Sequence, residues 1–578
     1  MSAIGLIVAG LAMCVYAIKP SKADGVSNTA QGQVRTVSAS ADLLAVQPQL
    51  LQGASYVKGG VRITPTSFKI VEQNGTGGQV NSPVNLGTYL EVKGPFTLKA
   101  TVGEFKDSPA SLYLYGQVPI IADEFRIERQ AIHLIIADGK LTVEIWDGGR
   151  APKSKQSFAF TSVTSLPLQL AFKDGKLTFL AADKVIGSVS VANVIKDKLW
   201  FGADAPSGNW LISAFTIEEG SGAEAKIVDA STRTATTHDA QGLQALAAKR
   251  RPDFKVGAAM SPYAVATDSQ YAAVAMDSSQ FGSWTPENAM KMQFLQPREN
   301  AFYFQQADLL VKIAQQNGIT MHGHTLVFGE ANPKWVNDLP VATPADKLRV
   351  QQVMENHITQ VVSHFGTKVS SWDVVNEPMA DYDDTADGEG ATLRQHKWQK
   401  AMGEAYIAKA FVAAHKANPE AMLFVNDYGL ESEGDRWDAF VQLMTRLKAE
   451  LQRQNVPIDK IGVGFQAHVY TAEDRIDPAV LAAHIRQLAS LGFKSQISEM
   501  DVYSDDGDDT QGLEYAAIFK VCLNEPSCIA WRTWILSDRY NYWKDEDDGQ
   551  IFQGKDGLFG TDMQPRAGYL YIQRLLSQ

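Results

Sequence analysis

Two textures of hydrophobic and polar positions divide the chain. From about Ser55 to Glu219, short runs rich in Val, Ile, Phe and Tyr are punctuated by Gly, Asp and Asn, the pattern of strands joined by tight turns. Asp138-Gly139 and Asp174-Gly175 fall at the hairpin positions, where residues that tolerate positive φ are needed. The two DGKLT copies predict similar hairpins rather than a solenoid, because nothing else recurs at that period. Beyond about Leu243, apolar runs alternate with longer amphipathic segments, which predicts βα repetition. Eight candidate strands follow: FKVGAAM, FGSWTPEN, ITMHGHTLVFG, VSSWDVVNE, MLFVNDYG, IGVGFQAHVY, SQISEMDVY and IAWRTWILSD. Between the last two pairs of runs, DPAVLAAHIRQLASLG reads as a helix capped by Asp477, opened by Pro478 and ended by Gly492. Eight βα units predict an α/β fold, a TIM (β/α)8 barrel, preceded by an all-β domain.

The division this predicts is residues 1–23 as signal peptide or N-terminal anchor, 24–45 as linker and 46–222 as the sandwich. Residues 223–240 read as a second linker, part of the aperiodic IEEGSGAEAKIVDASTRTATTHDAQG, and 241–578 as the barrel. The apolar run from Ala3 to Ile18 is short for a bilayer span but suits a signal-peptide core. Cleavage after Ser21-Lys22-Ala23 is favoured over lipidation at Cys14, so a secreted or cell-surface protein is expected, meeting a membrane only through such an anchor.

Charge narrows the partners. A net charge of −12 argues against nucleic acid, whose binding needs a basic face. Of three cysteines, Cys14 lies in the exported segment, which leaves Cys522 and Cys528 as a close pair. They are either a short-loop disulfide of an oxidising compartment or two small buried thiols.

In a barrel, polar residues that close the strands converge on one mouth. Here these are Glu287, Asn288 and Lys291, His324, Asn376 and Glu377, Asn426 and Asp427, Gln466 and His468, and Glu499. Val374 and Val375 mark a strand buried on both faces, yet it runs straight into Glu377. A second carboxylate, Glu499, closes the seventh strand. Two carboxyl groups about 5 Å apart across a cleft are the arrangement for retaining glycoside hydrolysis. His322 and His324 lack the spacing of a metal site, and no metal or cofactor is expected. The acidic runs DYDDTADGEG, SDDGDD and DEDD read as a solvated rim rather than calcium loops, since none has EF-hand spacing.

The motifs GSWTPENAMK, GHTLVF, WDVVNEP, FVNDYG, GVGFQAHVY, ISEMDV and TWILSDRY occur in the order seen in glycoside hydrolase family 10, so the region from about Ala240 to Gln578 resembles an endo-β-1,4-xylanase. The resemblance implies Glu377 as general acid/base and Glu499 as nucleophile. It implies that Asn376 bonds the 2-hydroxyl of the ring being cleaved, that His468 and Asp501 keep Glu499 ionised, and that Asn426 and Gln466 support the pair. Glu287, Asn288 and Lys291 would hold the next sugar on the glycone side and Trp534 would stack under a ring, with His324 and Phe328 as further substrate-binding or supporting residues. Cys522 and Cys528 match a cysteine pair common in the family.

Some positions depart from the family pattern. Phe328, Gly329 and Ala331 stand where Trp, His and Gln are expected, and Ala289 and Met292 are also unusual. Tyr542 stands at an expected Trp, with Trp543 one residue later. The smaller residues imply weaker rejection of a hydroxymethyl group, hence relaxed discrimination between xylose and glucose. The sequence therefore predicts a retaining endo-β-1,4-xylanase acting on xylan or a related plant cell-wall polysaccharide as a monomer. The alternatives are a hydrolase of another β-1,4-glucan or mixed glycan, and an inactive surface polysaccharide-binding protein. The sandwich resembles concanavalin-like or laminin-G-like jelly rolls. It reads as a candidate carbohydrate-binding module, with Tyr113, Tyr115, Trp146 or Trp210 as a stacking platform, or else as a spacer that packs between domains.

Overall fold

The structure is a computed structural model. It describes residues 33–36, 40–42, 54–57, 60–63, 71–72, 78–79, 88–105, 109–117, 130–147, 152–204, 208–236, 238–381, 391–470, 475–504, 507–544 and 551–578. The signal-peptide reading and most of the three acidic runs lie outside the described residues.

The C-terminal part is a closed parallel barrel. Its strands are β1 (Lys255–Met260), β2 (Ser283–Pro286), β3 (Thr320–Phe328), β4 (Val369–Asn376), β5 (Met422–Asp427), β6 (Ile461–Phe465), β7 (Lys494–Tyr503) and β8 (Cys528–Thr533). Each pairs in parallel with its sequence neighbour, and pairing of β8 with β1 closes the ring. All eight match the candidate runs, because strands covered on both faces read as near-continuous apolar stretches. The helix Pro478–Ser490 has Asp477 accepting from the Ala479 N–H as its cap. A disulfide joins Cys522 to Cys528 across a 5.2 Å Cα separation, tying the helix Asp508–Asn524 to the start of β8.

The N-terminal part is two antiparallel sheets with a shared apolar core. Both predicted hairpins turn through positive φ, at Gly139 and at Asp174-Gly175. Two linker readings are corrected. Gln33–Thr36 and Ser40–Asp42 are strands of the sheets. Glu224–Asp229 is a strand between Gln33–Thr36 and Thr88–Lys93, with Ala225 and Ile227 in the core. Its period-2 alternation is short and is flanked by Gly, Ser and Thr, which masks it in the sequence.

The sandwich packs onto the barrel instead of hanging from it. Tyr89, Tyr115 and Trp200 belong to the same buried cluster as Ala264, Val265 and Tyr271 of the barrel. The Trp200 and Tyr263 rings lie 6.5 Å apart. Lys198 Nζ donates to the Thr267 carbonyl at 2.9 Å, and buried Arg233 donates to Tyr89 Oη and the Ala266 carbonyl. Of the four aromatics read as a sugar platform, Trp210 is therefore sandwich core and Tyr115 is buried interface, while Tyr113 and Trp146 are half-buried.

Candidate active site

The strand ends bring Glu377 and Glu499 into one hydrogen-bonded cluster. Glu377 follows β4 with a φ of 49°, a left-handed conformation that is uncommon for a side chain-bearing residue. Its N–H is fixed on the Asn426 carbonyl at 2.7 Å. Its Oε1 accepts from Asn376 Nδ2 at 3.1 Å and from Gln466 Nε2 at 3.0 Å. Asn426 Nδ2 donates both to Asn376 Oδ1 at 2.8 Å and to Glu499 Oε1 at 2.5 Å. Two side-chain amides thus bridge the carboxylates. Asn426 is held in turn by Ser498, whose hydroxyl donates to its Oδ1 at 2.6 Å. Gly464 on β6 leaves this contact room: an added Cβ there would stand 2.1 Å from Asn426 Oδ1.

The two carboxyl groups sit in opposite electrostatic surroundings. Burial pushes Glu377 up to about 7; the Gln466 hydrogen bond and Arg394 pull against it, and the Asp427 and Glu499 charges add to it. For Glu499, burial alone would also raise the pKa, but the charge of His324 and the hydrogen bond and charge of His468 outweigh it and hold the carboxyl below its ordinary value. His468 lies 3.5 Å from Glu499 Oε2 and 2.9 Å from Asp501 Oδ1. Burial opposes its charging, yet the two carboxylates keep it protonated well above the usual imidazole range. One group is thus kept protonated near neutrality and the other ionised, the division of labour that acid–base and nucleophilic steps need.

The residues expected on the glycone side also gather. Lys291 Nζ donates to Asn288 Oδ1 at 2.8 Å and lies 5.8 Å from the centre of the Trp534 ring. Trp534 meets His324 edge-on at 5.2 Å. Half-buried Glu287 has its N–H on the Met260 carbonyl, and Phe328, in register with Asn376, ends β3. The backbone of Tyr542 and Trp543 belongs to a short strand; their side chains lie outside the described residues. Among the described residues, His324, Asp373 and Glu499 come nearest to a metal-ligand set, but His324 Nδ1 is engaged by Asp373 Oδ2 at 2.9 Å.

Several residues of the cluster escape the sequence reading. Asp373, inside the barrel, bonds both His322 and His324, and its mid-strand charge in an apolar run was the available signal. Arg394 comes from the chain beyond β4. Its guanidinium lies 3.6 Å from Glu377 Oε2 and is held by Asp381, Glu330 and Tyr428. No spacing rule points to it. His396 occupies the place a side chain at Gly329 would take, since an added Cβ would lie 2.5 Å from its ring. The space beside Gly329 is thus filled by a histidine from the chain beyond β4.

The family model for glycosyl hydrolase family 10 matches residues 243–574. Endo-1,4-beta-xylanase B of Thermotoga neapolitana is 32% identical over 306 residues, 52% of this chain and 82% of that protein. The crystal structure of xylanase 10B from Thermotoga maritima superposes with a TM-score of 0.51 at 30% identity, covering 58% of this chain and 98% of that one. Xylanase 10B from Thermotoga petrophila, solved in complex with xylobiose, gives the same TM-score at 31% identity, covering 58% and 97%.

Proposed function

The chain belongs to glycosyl hydrolase family 10, and from that premise we propose that it cleaves internal β-1,4-xylosidic bonds of xylan with retention of configuration. The observation that carries this reading is the pair of carboxyl groups with opposed pKa shifts, joined through Asn376 and Asn426. Glu377, protonated near neutrality, gives its proton to the departing glycosidic oxygen. Glu499, ionised, attacks the anomeric carbon and forms a glycosyl-enzyme ester. Glu377, now a carboxylate, then takes a proton from the water that opens the ester. Asn376 bonds the 2-hydroxyl of the ring under attack, and His468 with Asp501 keeps Glu499 charged.

Asn288, Lys291, Trp534, Glu287, His324 and Phe328 form the glycone side. The N-terminal sandwich is a brace: its Tyr89, Tyr115 and Trp200 face is spent on the barrel, which supports inter-domain packing over a carbohydrate platform built on those rings. Export to a secreted or cell-surface location, where xylan is met, accompanies this reading.

Release of short xylo-oligosaccharides from xylan, lost in Glu499→Ala, tests the activity. Glu377→Ala should slow substrates with poor leaving groups far more than activated aryl xylosides, whose departure needs little protonation. No release from xylan, or equal losses on both leaving groups, would overturn the corresponding assignment.

A further inference from the structure

Strand β8 sends a charge into the barrel, where branched apolar side chains are the usual filling. Arg532 stands two residues before Trp534, so the two share the inward face, and at about 3.3 Å per residue Arg532 lies about 7 Å further in. It is 4% exposed. Gly257, its neighbour on β1, leaves room for the stem: an added Cβ there would stand 2.8 Å from Arg532 Cγ. The guanidinium donates to Gln496 Oε1 at 2.6 Å and to Ser283 Oγ at 3.2 and 3.3 Å. These partners, among the described residues, are neutral, and burying a cation without a counter-ion is costly.

The negative charge lies one side chain further on. Gln496, its oxygen taken by Arg532, turns its nitrogen to Asp373 Oδ1 and His322 Nε2, 3.4 Å from each. Asp373 Oδ2 engages His322 Nε2 at 3.0 Å and His324 Nδ1 at 2.9 Å, and the same His324 nitrogen lies 3.8 Å from Glu499 Oε1. Two carboxylates thus converge on one imidazole, and the charge of Asp373 works against ionisation of Glu499. Arg532 is the cation at the other end of this column. Burial draws its pKa down only to about 10, with Asp373 pulling it back up, so it is charged at neutral pH, and its charge helps keep His322 neutral. The titratable groups facing the column are His322 and His324 of β3, Asp373 of β4 and Glu499 of β7, with His468 and Asp501 on the outer side of Glu499.

We propose that Arg532 is a positioning residue for the nucleophile: through Gln496 it fixes Asp373 and offsets its charge, so that Asp373 orients His324 against Glu499 without driving Glu499 toward protonation. This rests on the hydrolase reading above and extends the support of Glu499 into the interior of the barrel. The test is the pH profile of kcat/KM on an activated aryl β-xylobioside, whose first step needs Glu499 ionised and little help from Glu377. Arg532→Met removes the charge; Arg532→Gln also removes it but keeps a donor toward Ser283, and carries the test if the Met variant does not fold. Either should lower kcat/KM at neutral pH about tenfold and move the acid limb up by about one pH unit, the scale of a unit charge two side chains away. Arg532→Lys, which keeps the charge, should hold the acid limb where the wild type has it. An unmoved acid limb in a folded Met or Gln variant would overturn the proposal and leave Arg532 a packing residue, as would an equal shift in Arg532→Lys. Failure of the hydrolase reading itself would appear differently, as a wild-type protein inactive on the aryl β-xylobioside.

Discussion

Asn426 holds Glu499 by a 2.5 Å hydrogen bond from the same amide nitrogen that holds Asn376. Because Asn376 in turn bonds Glu377, one side chain at the end of β5 sets the positions of both carboxyl groups. In the proposed mechanism, a misplacement there would be felt by both halves of the double displacement.

Asn426→Ala is expected to lower kcat/KM about 10- to 100-fold, the scale of a lost hydrogen bond to a charged group. The loss should appear on aryl β-xylobioside and on xylan alike, since both need Glu499. Circular dichroism would confirm that the barrel remains folded.

The pH dependence follows from the two shifts. In the proposed mechanism Glu377 is the acid and must be protonated; with its pKa at about 7, kcat/KM should fall as pH rises through neutrality. Glu499 must be ionised, and its pKa is held down, so the acid-side fall should begin below the ordinary carboxylate range. His468→Ala removes a positive partner of Glu499 and should move that acid limb to higher pH. A pH profile of kcat/KM for wild type and variant checks both limbs.

Gly329 and His396 are predicted to be coupled. Gly329→Ala puts a methyl 2.5 Å from the His396 ring, and such overpacking should cost about 1–3 kcal/mol of stability. Combining it with His396→Ala should recover much of that loss. Denaturant melts of the two single variants and the double variant measure the coupling.

Ala331 is buried, its N–H on the Phe328 carbonyl and its carbonyl accepting from Gln293. A residue smaller than the Gln expected there should weaken rejection of a hydroxymethyl group, which is worth about 1–3 kcal/mol. Measurable activity on aryl β-cellobioside beside aryl β-xylobioside is expected, and Ala331→Gln should widen the ratio of kcat/KM values. An unchanged ratio would assign the discrimination to other side chains.

Much of the site was legible because a parallel barrel makes it so. Each buried strand reads as an apolar run, and its first polar residues, such as Asn376-Glu377 or Asn426-Asp427, mark the mouth. Three things were not legible, for separate reasons. Arg394 and His396 reach the site from the chain beyond β4, where position depends on tertiary packing and not on periodicity. The strand Glu224–Asp229 has the right alternation over too few residues. Trp210 and Tyr115 looked alike in sequence, each readable as core or as part of a sugar platform; strand pairing and docking onto the barrel bury both, one inside the sandwich and the other at the interface.

The most direct test of the account is the anomeric configuration of the first product, followed by proton NMR during the opening minutes of xylo-oligosaccharide hydrolysis. Double displacement through Glu499 predicts that the new reducing end appears as the β-anomer and only later mutarotates. An α-anomer formed first would contradict it, because water would then have attacked directly and Glu499 could not be the nucleophile.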